Sequence, residues 1–191
     1  MNVCVLLAPG FEETEAIVPI DLLRRGGVTV TLAGVYGLQV EGSHGITVQA
    51  DCRLSAVALD EVDMVFLPGG LKGVDNLLAS ESACQFLREA KGADKWLAAI
   101  CAAPTVLSRL GLIDGAEAVC YPGMEDLLAP AIPRQGHRVV CGGHGEHGEH
   151  GEKLLTGEAA GSAFDLGLAM LAALTDDATA DRVREAVHYH G

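Results

Sequence analysis

The chain has 191 residues, 49% of them hydrophobic, and a formal charge of −13 from 26 acidic and 13 basic side chains. That length and apolar content suit one well-cored domain, 1–191, rather than two. The acidic surplus with no basic patch argues against nucleic acid and anionic membranes as partners, and no apolar run reaches membrane-spanning length.

In chain order, residues 3–8 form a short apolar strand closed by Pro9-Gly10. The amino terminus lacks a charged n-region and enters this strand at once, so no signal peptide is expected. Glu12-Glu13-Thr14-Glu15 then opens a helix, with acids in the first turn where the dipole favours them. Ala16, Ile20 and Leu23 recur at helical spacing until Gly26-Gly27, and Pro19 inside that pattern predicts a kink or an irregular first half. A second strand at 28–33 makes a right-handed crossover unit. Residues 36–50 differ: Leu38, Val40, Ile46 and Val48 alternate with polar residues around Glu41-Gly42-Ser43-His44-Gly45, which reads as a hairpin. Such a hairpin projects from an α/β sheet, and a partner subunit is one plausible cover for it.

A buried strand at 63–67 runs into Pro68-Gly69-Gly70, and helical pieces follow near 74–78 and 82–90. The stretch Trp96-Leu97-Ala98-Ala99-Ile100-Cys101-Ala102-Ala103-Pro104 then reads as strand, sharp turn and helix, with Pro104 suited to the first helical turn. Cys101 sits on the turn, facing the positive end of the next helix, where the field favours thiolate over thiol. The local pattern equally describes a small cysteine filling space in the core. Beyond a less regular region to about residue 140, 161–174 is a strongly apolar helix and 178–189 an amphipathic one. Strands alternating with helices imply a mostly parallel sheet covered on both faces, with its ligand site beyond the carboxyl ends of the strands. Three loops converge there: 9–15, 68–70 and 101–103. That convergence favours Cys101 as a nucleophile, but Glu12, Glu13 and Glu15 remain equivalent first-turn acids.

The six cysteines form no Cys-x-x-Cys pair and no zinc-ligand spacing, which fits free thiols in a reducing cytoplasm. Between residues 140 and 153 the triplet His-Gly-Glu occurs three times, placing His144, His147 and His150 in one loop, 144–152. Imidazole and carboxylate suit zinc or nickel. The three glycines make ordering such a loop on an ion entropically costly, so it reads as a solvated expansion of a loop between two strands. Glu152 and Leu154 around Lys153 exclude a phosphate loop.

Three segments carry a resemblance: Leu7-Ala8-Pro9-Gly10-Phe11-Glu12-Glu13-Thr14-Glu15-Ala16, Val65-Phe66-Leu67-Pro68-Gly69-Gly70 and Ala98-Ala99-Ile100-Cys101-Ala102-Ala103-Pro104. In this order they resemble the ThiJ/PfpI superfamily, with a closer likeness to its bacterial YajL-like branch, related to the Parkinson-disease protein deglycase. The terminal helix after Thr175 favours that branch over the PfpI proteases. The resemblance implies a flavodoxin-like three-layer sandwich, similar to class I glutamine amidotransferases, and a homodimer. It implies Cys101 as nucleophile on a strained elbow, Glu15 as the carboxyl hydrogen-bonded to its sulfur, and Gly70 and Ala102 as backbone oxyanion donors. Gly69, Tyr121 and His44 become neighbours of the site. A carboxyl held beside a thiolate has its pKa raised, and the two groups share one proton.

The chain departs from the pattern in three places. Tyr121-Pro122 replaces the usual histidine beside the cysteine, and Glu158-Ala159-Ala160-Gly161 replaces a Gly-Pro-Gly run. His44 stands where a partner subunit's arginine often reaches the site. These changes bear on substrate scope more than on fold. The implied activity is a cofactor-independent glyoxalase or deglycase acting on methylglyoxal and its protein or nucleotide adducts, in an oxidative-stress role. The alternative is a redox sensor or redox-regulated chaperone that oxidises the same cysteine. A papain-like protease is disfavoured because no histidine lies near the matched position.

Overall fold

The computed structural model describes residues 1–142 and 153–191. Its elements follow in chain order: β1 (Asn2–Leu7), α1 (Glu13–Arg25), β2 (Thr29–Gly34), β3 (Gln39–Glu41), β4 (Thr47–Gln49), β5 (Cys52–Arg53), β6 (Met64–Leu67), α2 (Leu71–Ala79), α3 (Glu81–Gly92), β7 (Trp96–Ile100), α4 (Pro104–Arg109), β8 (Glu117–Ala118), β9 (Ile132–Pro133), β10 (Val139–Cys141), β11 (Leu154–Gly157), α5 (Ala163–Leu174) and α6 (Asp177–Ala186). Seven strands make the central sheet in the order β10-β11-β7-β6-β1-β2-β5. Every pairing in it is parallel except that of β10 with β11. This is the expected mostly parallel, flavodoxin-like sandwich.

The residue pattern of β1 shows why the sheet is covered twice. Cys4 and Leu6 pack into the core under α2, α3 and α4, whereas Val3, Val5 and Leu7 pack under α1, α5 and α6. Successive strand side chains point to opposite faces, so an unbroken apolar run needs helices on both sides. Each fully buried leucine there contributes roughly 1.5–3 kcal/mol.

Of the two expectations at Pro19, the irregular first half is not found: α1 runs unbroken from Glu13 to Arg25 with Pro19 inside it. A proline there leaves the Glu15 carbonyl without its helical donor. Across the layer, Gly167 of α5 packs directly on this turn: a Cβ at Gly167 would lie 2.9 Å from the Pro19 Cα and 2.8 Å from Leu22 Cδ1. A residue with no side chain lets α5 pack this closely on the proline turn.

The hairpin expected over 36–50 is present as the antiparallel pair β3–β4. The less regular region contains a short parallel pair, β8 with β9. The His-Gly-Glu repeat, with His144, His147 and His150, lies outside the described residues, between antiparallel neighbours β10 and β11. Among the described residues no helix is long and apolar enough to cross a membrane, and all six cysteines are free thiols.

Candidate active site

Cys101 occupies the bend between β7 and α4 with φ = +65°, a left-handed conformation for a non-glycine residue. Its backbone is held at both ends. The N–H extends the β7–β11 ladder to Gly157 O at 2.9 Å, and the carbonyl accepts from Tyr121 N–H at 2.8 Å. Ala103 N–H closes the turn onto Ile100 O at 3.0 Å. Ala102 and Ala103 are buried, so small side chains let the elbow sit against the core. The left-handed backbone costs roughly 1–2 kcal/mol, and the ladder on either side sustains it.

Glu15 lies in the first turn of α1 and is 1% exposed. Its carboxyl accepts from Gly69 N–H at 2.9 Å, accepts from Ala160 N–H, and is hydrogen-bonded to the Cys101 thiol. Burial pushes its pKa up to about 7; the Cys101 hydrogen bond opposes this, the nearby Glu12 charge adds to it, and the two amides oppose it. Glu12, the residue before α1, caps the helix by accepting from Glu15 N–H at 2.6 Å. Geometry thus separates the three first-turn acids: one caps, one faces the sulfur, and the third holds the hairpin.

That third acid, Glu13, is buried with both oxygens occupied. His44 N–H donates at 2.7 Å and Ile46 N–H at 3.3 Å to Oε1, while Ser43 Oγ donates at 3.1 Å and His44 Nδ1 lies 2.9 Å away on Oε2. Burial pushes this carboxyl up, but the His44 ring and the amide donors outweigh it and hold the pKa near about 2. In return the carboxylate raises the pKa of His44. The tip of the hairpin is further tied to the 9–12 loop by Ser43 N–H on Phe11 O at 2.8 Å and Gly10 N–H on Glu41 O at 2.8 Å. Glu12, Glu13 and His44 bring ligand atoms within 4.8 Å of one another, but the Glu13 oxygens are already satisfied by the hairpin. Glu13 contributes stability fully above the ordinary carboxyl value of 4.5 and loses it as pH falls toward about 2. Glu13→Gln should therefore flatten the loss of stability across that range. Glu13→Ala should cost about 1–3 kcal/mol at pH 7, because the hairpin amides of His44 and Ile46 and the Ser43 hydroxyl lose their shared charged acceptor. Urea titrations at pH 7 and across pH 2 to 4.5 measure both.

The structure brings Cys101, Glu15, Gly69, Gly70 and Ala102 together as the resemblance implies. The amides of Gly70 and Ala102 donate to the Cys101 sulfur. Gly70 caps α2 with φ = +88°. Tyr121 enters through its backbone, and its side chain is 50% exposed. His44 is bound to Glu13 of its own chain. Burial and the neighbouring carboxyl oppose the thiolate expected at this turn. Burial, then the Glu15 charge and its hydrogen bond, push the Cys101 thiol up to about 12, and the two amides only partly offset this. Helix α4 is just six residues long, so the field at its end is outweighed by desolvation beside a carboxylate. The pair therefore loses its protons in two well-separated steps and holds one shared proton in between. Sequence reading missed the hairpin contact of Glu13 and the amide of Ala160. The latter has no side-chain signature.

Residues 1–173 match the DJ-1/PfpI family. Drosophila melanogaster DJ-1beta is 42% identical over 125 residues, 65% of this chain and 67% of that protein. Its crystal structure superposes with a TM-score of 0.90 at 33% identity, covering 100% of this chain and 98% of that one. Oxidised DJ-1 of Toxoplasma gondii superposes with a TM-score of 0.87 at 32% identity, covering 100% and 99%. A protein named deglycase from Pyrococcus abyssi is 32% identical over 126 residues, 66% of this chain and 75% of that one. The elbow cysteine, the carboxyl on its sulfur and the paired amides thus occur in a chain that belongs to the DJ-1/PfpI family.

Proposed function

We propose that the protein is a cofactor-independent glyoxalase or deglycase, with Cys101 as nucleophile and Glu15 as the acid/base. The observation that carries this reading is the Cys101–Glu15 hydrogen bond, one shared proton flanked by the Gly70 and Ala102 amides. The deglycase name of the Pyrococcus relative supports it. With methylglyoxal, the Cys101 sulfur bonds to the aldehyde carbon while its proton passes to Glu15 and on to the carbonyl oxygen, giving a hemithioacetal. The Gly70 and Ala102 amides stabilise the oxyanion as it forms. Glu15 then removes the proton from the former aldehyde carbon, and the neighbouring ketone carbon gains one. The resulting lactoyl thioester is hydrolysed by water, which releases lactate and restores the thiol. A carboxyl near about 7 can both give and take protons at neutral pH. On a glycated amine or thiol the same sequence would release the original group. Lactate measured from methylglyoxal, with Cys101→Ser as control, tests the reading; equal lactate from both proteins would sink it.

The oxidised Toxoplasma relative supports a second reading, in which peroxide oxidises Cys101 and the same donors hold the product. In that case oxidation of Cys101 would proceed without lactate formation. A cytoplasmic homodimer completes the proposal. Ile17 on α1 and Ile46 at the hairpin tip are 43% and 58% exposed and offer an apolar contact for a second copy. Sedimentation at micromolar concentration should give a dimer, and Ile17→Asp should shift it toward monomer. A wild-type monomer would contradict this.

A further inference from the structure

The turn that leads into α1 is held from two sides. Phe11 N–H closes onto Ala8 O at 3.1 Å, and Gly10 has φ = +84°. With Pro9 ahead of it, this is a type II turn, in which glycine takes the left-handed position. The planar peptide joining Pro9 to Gly10 points its C=O and its N–H in opposite directions. Each meets a different element. Gly10 N–H donates to Glu41 O at the end of β3 at 2.8 Å, and Pro9 O accepts from Asn76 Nδ2 of α2 at 2.8 Å. A carbonyl can only accept, so Asn76 serves here through its donor nitrogen.

Turn and helix fit closely around that bond. Gly10 O takes the Gly73 N–H at 3.1 Å, one of the first-turn amides of α2 that lack a helical partner. A methyl at Gly73 would lie 2.8 Å from Phe11 Cα, and one at Gly10 would lie 2.7 Å from Lys72 Cβ. Asn76 follows Gly73 by three residues and so shares its face of α2. Its bond to Pro9 is made by a side chain, and can be removed without altering the backbone.

The same turn sets the register of the reacting pair. Just after it, Glu12 N–H donates to Gly69 O at 3.0 Å. Glu15, on the first turn of α1, accepts the Gly69 N–H at 2.9 Å. Gly69 is therefore held through both its carbonyl and its amide by the segment that the turn feeds.

We propose that Asn76 is a positioning residue of the active site: by holding the Pro9–Gly10 peptide in this orientation, it fixes the start of α1, and with it Glu15, against the 68–70 loop and Cys101. This rests on Glu15 and Cys101 being the reacting pair of the proposed function. Asn76 hydrogen-bonds neither of them and acts through the turn. If the peptide flipped, it would lose both the Asn76 and the Glu41 bonds and would point its carbonyl at the carbonyl of Glu41.

Asn76→Asp tests this with a side chain of the same shape that offers the Pro9 carbonyl an acceptor instead of a donor. Its kcat on methylglyoxal should fall roughly tenfold with KM within about twofold of wild type, the signature of misplaced reacting groups. By hydrogen exchange, the amides of Gly10 and Gly69 should open roughly tenfold more often, the effect of losing one hydrogen bond. The Val5 amide in the middle of the sheet should keep its wild-type rate. Asn76→Ala also lacks the donor and should behave like Asn76→Asp. Tyr36→Phe removes a different bond at the same residue, Tyr36 Oη to Asn76 O at 2.9 Å, and should leave kcat and both glycine amides unchanged. Wild-type kcat in both Asn76 variants would overturn the proposal, as would unchanged exchange at Gly10 and Gly69. Faster exchange at Val5 by the same factor would overturn it too, since it would mean general loss of stability. If the wild type forms no lactate, the proposed function fails, while exchange at Gly69 still decides whether Asn76 positions the segment that carries Glu15.

Discussion

Glu15→Gln should abolish conversion of methylglyoxal, lowering turnover by ~10²-fold or more, while leaving Cys101 open to alkylation and oxidation. Glutamine keeps a hydrogen-bonding group on the sulfur but cannot carry a proton between carbons. It also removes the negative charge that pushes the Cys101 thiol up, so alkylation at neutral pH should be at least as fast as in wild type. The same substitution makes a stability prediction with a definite sign. The folded-state pKa of Glu15 lies near about 7, above the ordinary 4.5. The native state therefore binds more protons than the unfolded chain between those values, and its stability falls as pH rises through them. Glu15→Gln should escape that loss, gaining ~1–3 kcal/mol over wild type at pH 8 and nothing below pH 4. For a chain of this size that is roughly 2–4 °C per kcal/mol in melting temperature. Near-normal turnover in Glu15→Gln, alongside an inactive Cys101→Ser, would remove Glu15 from the acid/base role.

Gly69→Ala should be as damaging by a different route. A methyl at this position would overlap Glu15 Oε2 and would lie 2.7 Å from Cys101 Cβ and 2.9 Å from Ile100 O. Two of these neighbours are the reacting pair, and the third is backbone at the end of β7, so no flexible side chain can yield. Either the Gly69 amide leaves Glu15 or the elbow shifts. Activity should fall at least ~10-fold, since small displacements of reacting groups carry large rate losses. Overpacking should cost about 1–3 kcal/mol in stability. Gly92→Ala is the control: it ends α3 with open space around it, and should be neutral or stabilising by up to ~1 kcal/mol. Lactate assays and urea titration of both variants provide the comparison. If Gly69→Ala behaved like Gly92→Ala, the close packing of Gly69 on the pair would be wrong.

Much of this molecule is local. The apolar runs of β1, β6 and β7, the glycine stops after α1 and β6, and the hairpin alternation around Ser43 can all be read from spacing, because each depends on near neighbours. The elbow is legible for the same reason: five apolar residues, a cysteine, two alanines and a proline leave few other shapes. Motif resemblance then identified Glu15, which periodicity could not distinguish from Glu12 and Glu13. What those two neighbours do was decided by tertiary structure alone, because a cap and a buried anchor differ only in what lies across from them. Glu13 meets a hairpin tip some thirty residues away, and without that tip it is one more first-turn acid. The turn at Pro19 packs against Gly167, distant in the chain, and only the fold brings the two together. What opposes thiolate at Cys101 was decided by tertiary structure for the same reason. The end of a short helix is a weak local field, whereas burial beside a carboxylate exists only once β6, β7, β11 and α1 have been brought together.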